Sequence, residues 1–577
     1  MSCSLTALPD GQLAAEQLVT VPFMAPRLQG ELTPNGRLDI SLWGAGRLGA
    51  VRVSLGGGPV VIAPNRAIGR GWSLHVAQSA PVLVVKGGRH LGLHPAKRCA
   101  PWDTIVRPLA AIVREEERCF CRLAWGHLVS ETRGADLVVA AGQDAAEVER
   151  ALSLSVETII AEGEAHVARC DALPKGDPIL RSLVLHGAHA GLSSIRQDVQ
   201  GQFAGLSAGL AYSSPSRTYY RDGYWTLPLL LQLDPPAARA QIDLLAEGVH
   251  PDGEAPSGLI LGGPQQSRLW EDRRLSLPGA AQTHQHPRDW WSDHFDSPLF
   301  FVLALGDYAS ATGDTDLARA HWPVVKTIFE RYRALSAGPD GLPLKPRNDR
   351  DWADNVYREG VVAYDTGLWV GALEVIQWLG RDHDPATADT ARELQREAGS
   401  RIERALRRGE TYADYVRGDG SDEPHLTLDS LTLLRYGAVS GGRAETVLEA
   451  VRARLQTRHN GGQPYGDWGM LCAFPPYSRR SDLRAKSAFP YRYHNGGDWP
   501  WLDGVYAQER LRRGLDGWRY PLMRWWESCL ANGWAGAVEH FSPPFGRGSL
   551  LQAWSSLPAA VALMWSGQVL AGDPDEA

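Results

Sequence analysis

The feature that most constrains this chain is a succession of helical patterns from about residue 176 to its end. Apolar residues recur there at helical spacing in twelve segments. The twelve predicted helices cover about 178–195, 223–233, 236–249, 296–311, 315–337, 363–380, 385–409, 426–434, 442–457, 498–512, 516–532 and 552–566. Local signals mark some of their starts. Pro235 and Pro236 precede one helix, and Asp314, after Thr312 and Gly313, begins another.

The connections between these helices alternate in length, and this alternation predicts their arrangement. Connections after the even-numbered helices are mostly short, whereas those before them are mostly long and rich in Trp, His, Asp and Arg. Six helical hairpins closed into a ring would give this alternation, with the even-numbered helices inside and the long loops at one mouth. A helical solenoid is the alternative, but solenoids usually show a fixed repeat length, and none is seen here.

The chain before these helices is predicted to be a separate β domain. Short apolar stretches are separated there by Gly, Pro and Asn turns. These stretches are Leu38–Trp43, Val51–Leu55, Val82–Val85, Thr104–Val113 and Leu137–Ala141. The predicted fold class is therefore mostly α, with an antiparallel β-sandwich domain over residues 1–145, a linker helix over 146–175 and an (α/α)6-barrel catalytic domain over 176–577.

Charge and terminal sequence exclude several classes of protein. The net charge is −7 and no Lys/Arg-rich segment is present, which argues against a nucleic-acid partner. The first residues lack the basic and apolar regions of a signal peptide, and no apolar segment approaches 18 residues, so we expect a cytoplasmic protein with no membrane partner. Seven cysteines without a framework spacing predict reduced thiols.

Aromatic residues are concentrated in the long loops. The chain has 21 Trp and 17 Tyr, and such rings form sugar sites as well as large cores. Three loops stand out, each leading into an even-numbered helix, and two more join them at the same predicted mouth. The three are SRTYYRDGYW (216–225), PLKPRNDRDWADNVYREG (343–360) and VEHFSPPFGRGSLLQAWS (538–555), and the two are HQHPRDWWSDHFDSPLFF (284–301) and YRYHNGGDWPWLDG (491–504).

Two carboxylic acids in these loops are candidates for acid and base chemistry. Acetal hydrolysis needs a proton donor on the leaving oxygen and a second carboxyl on the other side of the sugar. Asp354 lies two residues after Trp352, and Glu539 lies two residues before Phe541, so both have apolar surroundings that favour a protonated donor. A helix cap or a loop ion pair is the alternative for each. Asp351 is the second candidate for the acid.

Five segments resemble one family of enzymes, in that family's order. They are YYRDGYW (219–225), DSPLFFVLALGDYASATGD (296–314), DWADN (351–355), HNGGDWPW (494–501) and EHFSPPFGRGSLLQAWS (539–555). They resemble the (α/α)6-barrel inverting glycoside hydrolases that include the glucosidase domain of glycogen-debranching enzymes, the glucoamylases, the trehalases, and the mannosylglycerate and processing α-glucosidases. The resemblance implies that Asp354 is the general acid and Glu539 the general base.

The resemblance implies an exo-acting, inverting glycoside hydrolase that cleaves an α-glucoside or a related small glycoside or oligosaccharide. The alternatives are the same fold and mechanism with a β-glycoside or a rhamnoside, a phosphorylase, or a non-catalytic carbohydrate-binding relative. The implied partner is a small carbohydrate; no cofactor is implied, and zinc binding by His284, His286 and His294 is the lesser alternative. The candidate substrate-binding residues are Arg221, Asp222, Tyr220, Trp225, Trp290, Trp291, Trp352, Asn355, Arg358, Asn495, Asp498, Trp499, Trp501 and Trp554.

Overall fold

A computed structural model describes most of the chain after residue 144. The described residues are 145–197, 202–209, 217–261, 288–338, 340–532, 536–549 and 551–576, together with the strands and short turns of residues 2–142, whose side chains are described at 73–80, 82–87 and 129–140. The described α-helices are α1 (Ala145–Leu152), α2 (Val156–Cys170), α3 (Pro178–Leu192), α4 (Tyr220–Leu233), α5 (Pro235–Ala246), α6 (Ser297–Thr312), α7 (Thr315–Ala320), α8 (Trp322–Leu335), α9 (Ala363–Gly380), α10 (Pro385–Leu406), α11 (Thr432–Arg435), α12 (Gly441–Leu455), α13 (Pro500–Arg512), α14 (Arg519–Ala531), α15 (Leu557–Met564) and α16 (Ser566–Ala571).

Among the described residues, six helical segments form an inner ring. They are α4, α6, α9, the 3-10 turn Leu428–Leu431 with α11, α13, and the 3-10 turn Ala553–Ser556 with α15. Each segment contacts the next, and the sixth contacts the first, so the ring closes. These are the even-numbered helices of the sequence prediction, and their inner position is confirmed.

Burial distinguishes the inner helices from the outer ones. Helix α6 is apolar around its whole circumference and is buried along nearly all of its length, as expected for a helix surrounded by others. The outer helix α10 buries one stripe, which runs through Ala391, Ala398 and Ile402, and exposes charged residues elsewhere. The single stripe packs on the ring, and the charged face meets solvent.

Local chemistry sets the helix ends. Gly313 adopts a left-handed conformation (φ 74°) after α6, and the side chain of Asp314 accepts a hydrogen bond from Leu317 N at the start of α7. The predicted start at Asp314 is confirmed. The predicted helix 315–337 is two helices, because Pro323 lacks the N–H that would extend α7 and instead lies in the first turn of α8.

Other boundaries also differ from the prediction. The predicted linker helix over 146–175 is two helices, because the Ser155 side chain accepts a hydrogen bond from Thr158 N and starts α2 anew. The predicted helix 426–434 begins as the 3-10 turn Leu428–Leu431. Among the described helices, none combines the length and apolarity needed to span a membrane.

The described strands before residue 145 pair into two antiparallel sheets. The strands are β1 (Ser2–Ala7), β2 (Leu13–Val19), β3 (Arg27–Thr33), β4 (Arg37–Gly44), β5 (Arg47–Ser54), β6 (Val61–Ala63), β7 (Arg66–Gly69), β8 (Trp72–Val76), β9 (Val82–Lys86), β10 (Leu93–Pro95), β11 (Ala111–Arg114), β12 (Arg118–Leu123), β13 (Gly126–Arg133) and β14 (Asp136–Gly142). One sheet has the order β1-β2-β3-β4-β5-β10 and the other β11-β12-β13-β14-β9-β8-β7-β6. Residues 104–110 of one predicted strand lie outside the described residues.

Helices α1 and α2 pack on the second of these sheets. Val84 of β9 and Val138 of β14 share an apolar cluster with Val148 of α1 and Ile159 of α2. This cluster is separate from the main core of the helical ring. The arrangement of the two sheets as a sandwich stays a prediction, as do the domain boundaries.

Short strands connect the helices of the ring. They are β15 (Ile195–Gln197), β16 (Phe203–Leu206), β17 (Arg217–Tyr219), β18 (Gly258–Ile260), β19 (Asp289–Trp290), β20 (Lys345–Asn348), β21 (Arg358–Val362), β22 (Arg407–Arg408), β23 (Thr411–Tyr412), β24 (Tyr415–Val416), β25 (Asp422–Glu423), β26 (Leu426–Thr427), β27 (Ala473–Phe474), β28 (Phe541–Ser542) and β29 (Gly546–Arg547). The sheet β17-β18-β19 and the hairpin β28-β29 lie in long loops before inner helices.

Candidate active site

A cavity of about 240 Å³ lies at the end of the ring where the inner helices begin. Its walls come from the long loops and from the first turn of α4, so loops that are distant in sequence meet there. The lining residues are Ala208, Arg217, Tyr219, Arg221, Asp222, Ser257, Trp290, Trp291, Trp352, Asp354, Asn355, Lys486, Tyr493, His494, Glu539, Gln552 and Trp554. The predicted site residues among them are Asp354, Glu539, Arg221, Asp222, Trp290, Trp291, Trp352, Asn355 and Trp554.

Asp354 lies in the cavity wall with 18% of its side-chain surface exposed. Burial raises the pKa of this carboxyl, and the charges of Lys486 and Arg221 oppose part of that effect. Its Oδ1 accepts a hydrogen bond from Asn355 Nδ2 at 2.8 Å. A carboxyl in this environment keeps its proton to a higher pH than a solvated aspartate does.

His494 lies beside Asp354 but carries no positive charge that would pair with its carboxylate. Nδ1 of His494 is 3.7 Å from Asp354 Oδ1. Burial holds the pKa of His494 well below its usual range, so the ring is neutral near pH 7. Trp499 stacks on the ring with 4.7 Å between centroids, and Trp352 meets it edge-on at 4.8 Å. The imidazole therefore forms part of a rigid aromatic wall.

Glu539 is buried on another wall of the cavity, and defined donors hold its carboxylate. Oε1 accepts from Tyr493 OH at 3.2 Å, and Oε2 accepts from Ser549 N at 3.0 Å. The backbone N of Glu539 donates in turn to Ser549 O at 2.8 Å. These contacts fix the orientation of the carboxylate on the hairpin loop that contains β28 and β29.

Asp222 is a third carboxyl at the cavity. Burial raises the pKa of Asp222 to about 7; the Arg221 charge opposes this shift, and the charges of Glu539 and Asp354 add to it. Gln552 Nε2 donates to Asp222 Oδ1 at 2.9 Å. Its titration therefore depends on both candidate catalytic carboxyls.

Arg221 is positioned by residues behind the cavity. Its Nη1 donates to Asp296 Oδ2 at 3.2 Å, and Asp296 also accepts hydrogen bonds from His294 and Tyr364. The guanidinium carbon is 5.9 Å from the ring centroid of Trp554. The charge of Arg221 is thus held at the cavity wall by a buried partner.

Asp351 is occupied by a buried ion pair and does not line the cavity. Arg358 Nη2 donates to Asp351 Oδ1 at 2.8 Å, and Lys345 Nζ is 3.4 Å from Oδ2. These two cations hold the pKa of Asp351 well below its usual range despite burial. A carboxyl that stays ionised is a poor proton donor, which favours Asp354 over Asp351 as the acid.

Four polar residues predicted to bind substrate lie behind the cavity wall. Arg358 is fully buried and also pairs with Asp414 at 3.0 Å and Asp429 at 2.7 Å. The side chains of the other three bond backbone groups, which is the expected fate of polar groups buried in a folded loop. Tyr220 OH donates to Leu245 O, and Asn495 Nδ2 donates to Tyr477 O and Ser487 O. Asp498 Oδ2 accepts from Met470 N.

Three predicted tryptophans pack behind the wall instead of lining the cavity. Trp225 stacks on Trp501 with 4.6 Å between ring centroids, and both rings are fully buried. The indole N of Trp499 donates to Tyr493 O at 3.2 Å, and its ring supports His494. These rings fill the space between the inner helices and support the wall.

The prediction did not include several cavity residues. Tyr493, His494 and Gln552 lie within the loops already singled out, and so do Arg217 and Tyr219. The guanidinium of Arg217 lies 4.0 Å from the ring centroid of Trp290, because β17 and β19 both pair with β18. The remaining three, Ala208, Ser257 and Lys486, lie outside those loops and carry no local sequence signal.

Groups able to bind a metal ion lie elsewhere among the described residues. His166, Cys170 and His189 form one such group between α2 and α3, and burial lowers the pKa of His166 to about 3. His250, Asp252 and Glu254 form another. Of the histidines considered for zinc, His294 donates to Asp296, and His284 and His286 lie outside the described residues.

A second cavity, of about 630 Å³, lies near the other ends of α6 and α9. Asp307, Glu374 and Trp378 are among its lining residues. It is larger than the first cavity but contains none of the predicted site residues. The smaller cavity is the candidate active site because it brings together acidic groups from two separate loops and from the first turn of α4.

Gly548 leaves room for the carboxylate of Glu539. A Cβ atom at this position would meet Glu539 Oε2 and would lie 2.6 Å from His540 Cδ2. We expect Gly548→Ala to lower kcat about 10- to 100-fold, because a displacement of about 1 Å at a reacting group costs up to that much. The matched control is Gly461→Ala, where no atom lies within 4 Å of the added Cβ. Steady-state kinetics on both variants would test this, and full kcat in Gly548→Ala would contradict it.

Much of the site lies in a segment that matches the model of a known enzyme family. Residues 277–560 match the family described as amylo-alpha-1,6-glucosidase. The predicted resemblance is confirmed. The family match includes Asp354 and Glu539 but stops short of Arg221 and Asp222, which precede it in the chain. No curated protein matches the chain.

Solved structures show the same fold. A bacterial glucoamylase complexed with acarbose has a TM-score of 0.52 and 12% identity, covering 99% of this chain and 86% of its own. A rhamnosidase from Klebsiella oxytoca with rhamnose bound has a TM-score of 0.51 and 14% identity, covering 98% and 94%. A GH78 family rhamnosidase of Bacillus sp. GL1 has a TM-score of 0.47 and 14% identity, and only 38% of its length is covered. The likeness to the first two shows an (α/α)6 fold.

Proposed function

We propose that this protein is an exo-acting, inverting glycoside hydrolase that cleaves an α-glucoside or a related small glycoside. The observation that carries this proposal is the meeting of Asp354 and Glu539, from two separate loops, at one cavity with aromatic walls. Hydrolysis of a glycosidic bond needs two carboxyl groups on opposite sides of the bond. The family match, which spans both residues, supports the same reaction class.

Asp354 is the proposed general acid. The raised pKa of Asp354 supports this role, because the acid must hold its proton near neutral pH to protonate the leaving oxygen. Asn355 Nδ2 bonds Oδ1 and thus orients the carboxyl. As the glycosidic bond breaks, the proton of Asp354 passes to the departing oxygen, and Asp354 becomes a carboxylate close to Lys486 and Arg221.

Glu539 is the proposed general base. Its carboxylate, held by Tyr493 and Ser549, would take a proton from a water molecule that attacks the anomeric carbon. Attack from the face opposite to the leaving group inverts the configuration. An inverting pair requires a separation of about 6.5–9.5 Å between the two carboxyl groups, which leaves room for that water.

The cavity suits one terminal sugar. Its volume of about 240 Å³ is below the ~300–1,000 Å³ that is common for drug-sized ligands. Arg221 and Asp222 are proposed to bind hydroxyl groups of this sugar, with Asn355 as a further polar partner. Trp290, Trp291, Trp352 and Trp554 are proposed to contact its apolar faces.

Proton NMR of the purified protein with a panel of α- and β-linked disaccharides and glucosyl-polyols tests this function. We expect an α-glucoside to be cleaved and β-glucose to appear before mutarotation mixes the anomers. First release of α-glucose from that substrate would contradict the inverting mechanism. Cleavage of a β-linked substrate alone would keep the enzyme class and replace the sugar.

A further inference from the structure

Two exposed aromatic side chains lie together on the loops that carry cavity residues. Phe489 is 50% exposed and Phe545 is 44% exposed, and their ring centroids are 6.0 Å apart with 32° between the planes. We call this pair the aromatic shelf. Single exposed apolar residues are common on protein surfaces, but a contacting pair at the edge of a site indicates binding.

The shelf is continuous with the candidate active site through the backbone. Phe489 lies between Lys486 and Tyr493, both of which line the cavity. Phe545 lies at the tip of the β28-β29 hairpin, six residues after Glu539. The two loops are joined by a hydrogen bond from Ser542 Oγ to Tyr491 O. The shelf therefore lies on two joined loops that border the cavity.

Local contacts hold the shelf in place. Phe545 N donates to Ser542 O at 3.0 Å, which closes the turn of the hairpin. Arg492 N donates to Phe489 O at 3.3 Å, and the Arg492 guanidinium carbon lies 5.2 Å from the ring centroid of Phe545. Two fixed rings lose little conformational freedom when a flat partner packs on them.

The loops that carry the shelf hold groups close to both candidate catalytic carboxyls; Tyr493 OH, for example, donates to Glu539 Oε1 at 3.2 Å. Lys486, three residues before Phe489, provides the largest opposing charge to the burial that raises the pKa of Asp354. Its ammonium also lies 4.7 Å from the ring centroid of Tyr493. In the proposed reaction the terminal sugar fills the cavity of about 240 Å³, so the leaving group lies outside it, beside the loops that line it.

We propose that Phe489 and Phe545 bind the leaving group of the substrate, and that this leaving group contains a ring with a flat apolar face. Such a ring is either a second sugar or an aromatic group, since both pack on phenyl rings. This inference rests on the proposed function and adds the class of leaving group. It assigns the terminal sugar to the cavity and the remainder of the substrate to the shelf.

Comparison of three glycosides of the same terminal sugar tests the shelf. The substrates are a methyl glycoside, a 4-nitrophenyl glycoside and a disaccharide, and the variant is Phe489→Ala/Phe545→Ala. We expect kcat/KM to fall about 10-fold on a ring-bearing substrate and to stay within about 2-fold on the methyl glycoside, as stacking losses predict. The matched control is Trp378→Ala, an exposed aromatic residue of α9 beside the second cavity, which should change none of them.

The three substrates identify the class of leaving group, and they distinguish a failure of the shelf proposal from a failure of the proposed function. A loss confined to the disaccharide assigns a sugar, and a loss confined to the 4-nitrophenyl glycoside assigns an aromatic group. If the ratio of kcat/KM on a ring-bearing substrate to kcat/KM on the methyl glycoside is the same in wild type and variant, the proposed role of the shelf is overturned. The proposed function would still stand. If no substrate is cleaved, calorimetric binding of the same three glycosides gives the comparison. A chain that neither cleaves nor binds any glycoside would overturn both proposals.

Discussion

Asp354→Asn is expected to lower kcat about 10²–10⁴-fold on a disaccharide while leaving the fold intact, because it removes the proton that the leaving oxygen needs. Glu539→Gln is expected to cause a similar loss by removing the acceptor for the water proton. The two variants differ in their dependence on the leaving group. A 4-nitrophenyl leaving group needs little protonation, so the deficit of Asp354→Asn shrinks on it, whereas that of Glu539→Gln does not.

The pH profile adds a second signature of the acid. In the wild type, activity should fall at high pH as Asp354 loses its proton, and the raised pKa of Asp354 moves that fall upward from the range of a solvated aspartate. Asp354→Asn should lack this decline. The matched control is Asp382→Asn, at a position 88% exposed between α9 and α10, which should keep wild-type rates. Wild-type kcat in either candidate variant would contradict the assignment of that residue.

Arg358→Met is expected to destabilise the barrel by about 3–5 kcal/mol, the usual result of removing one partner from a buried ion pair. Arg358 is fully buried and pairs with Asp351 and Asp414 from two connecting segments and with Asp429 of the 3-10 turn Leu428–Leu431. Its loss leaves several carboxylates in an apolar interior. Trp352, whose indole N–H donates to Asp429, would also lose its support at the cavity wall.

Calorimetric melting at two pH values measures this effect. The deficit of Arg358→Met should be smaller at acid pH than at pH 7, because protonation neutralises the carboxylates that the variant leaves unpaired. In the wild type, the contribution of Asp351 to the free energy of unfolding also decreases at acid pH. Since its folded pKa is depressed, its stabilisation is present above the unfolded pKa of about 3.9 and is lost as the pH falls below it.

An exposed arginine serves as the control. Arg319→Met removes the partner of Asp316 from a pair that is 65% and 84% exposed, and it should cost no more than about 1 kcal/mol. If the free energy of unfolding of Arg358→Met at pH 7 is within about 1 kcal/mol of the wild-type value, the buried network does not stabilise the barrel. Activity measured below the melting temperature would then show whether Arg358 acts on the site alone.

The sequence alone determined the helical ring and where its chemistry lies. The alternation of short and long connections predicted that the even-numbered helices lie inside, and the buried helix α6 is one of them. Long loops before the inner helices predicted a common mouth, since every inner segment begins at the same end. Asp354 and Glu539 were singled out because carboxyls among aromatic residues need a reason to be there, and the family resemblance named their roles.

Only the tertiary structure decided which neighbouring residues face the cavity and which support it. Asp351 and Asp354 are three residues apart in one loop, yet Arg358 and Lys345 keep one ionised while burial raises the pKa of the other. Trp499 packs behind the wall that Trp554 lines. Loops without regular periodicity do not encode the direction of a side chain. That direction follows from contacts with segments far away in sequence, and these contacts exist only in the folded chain.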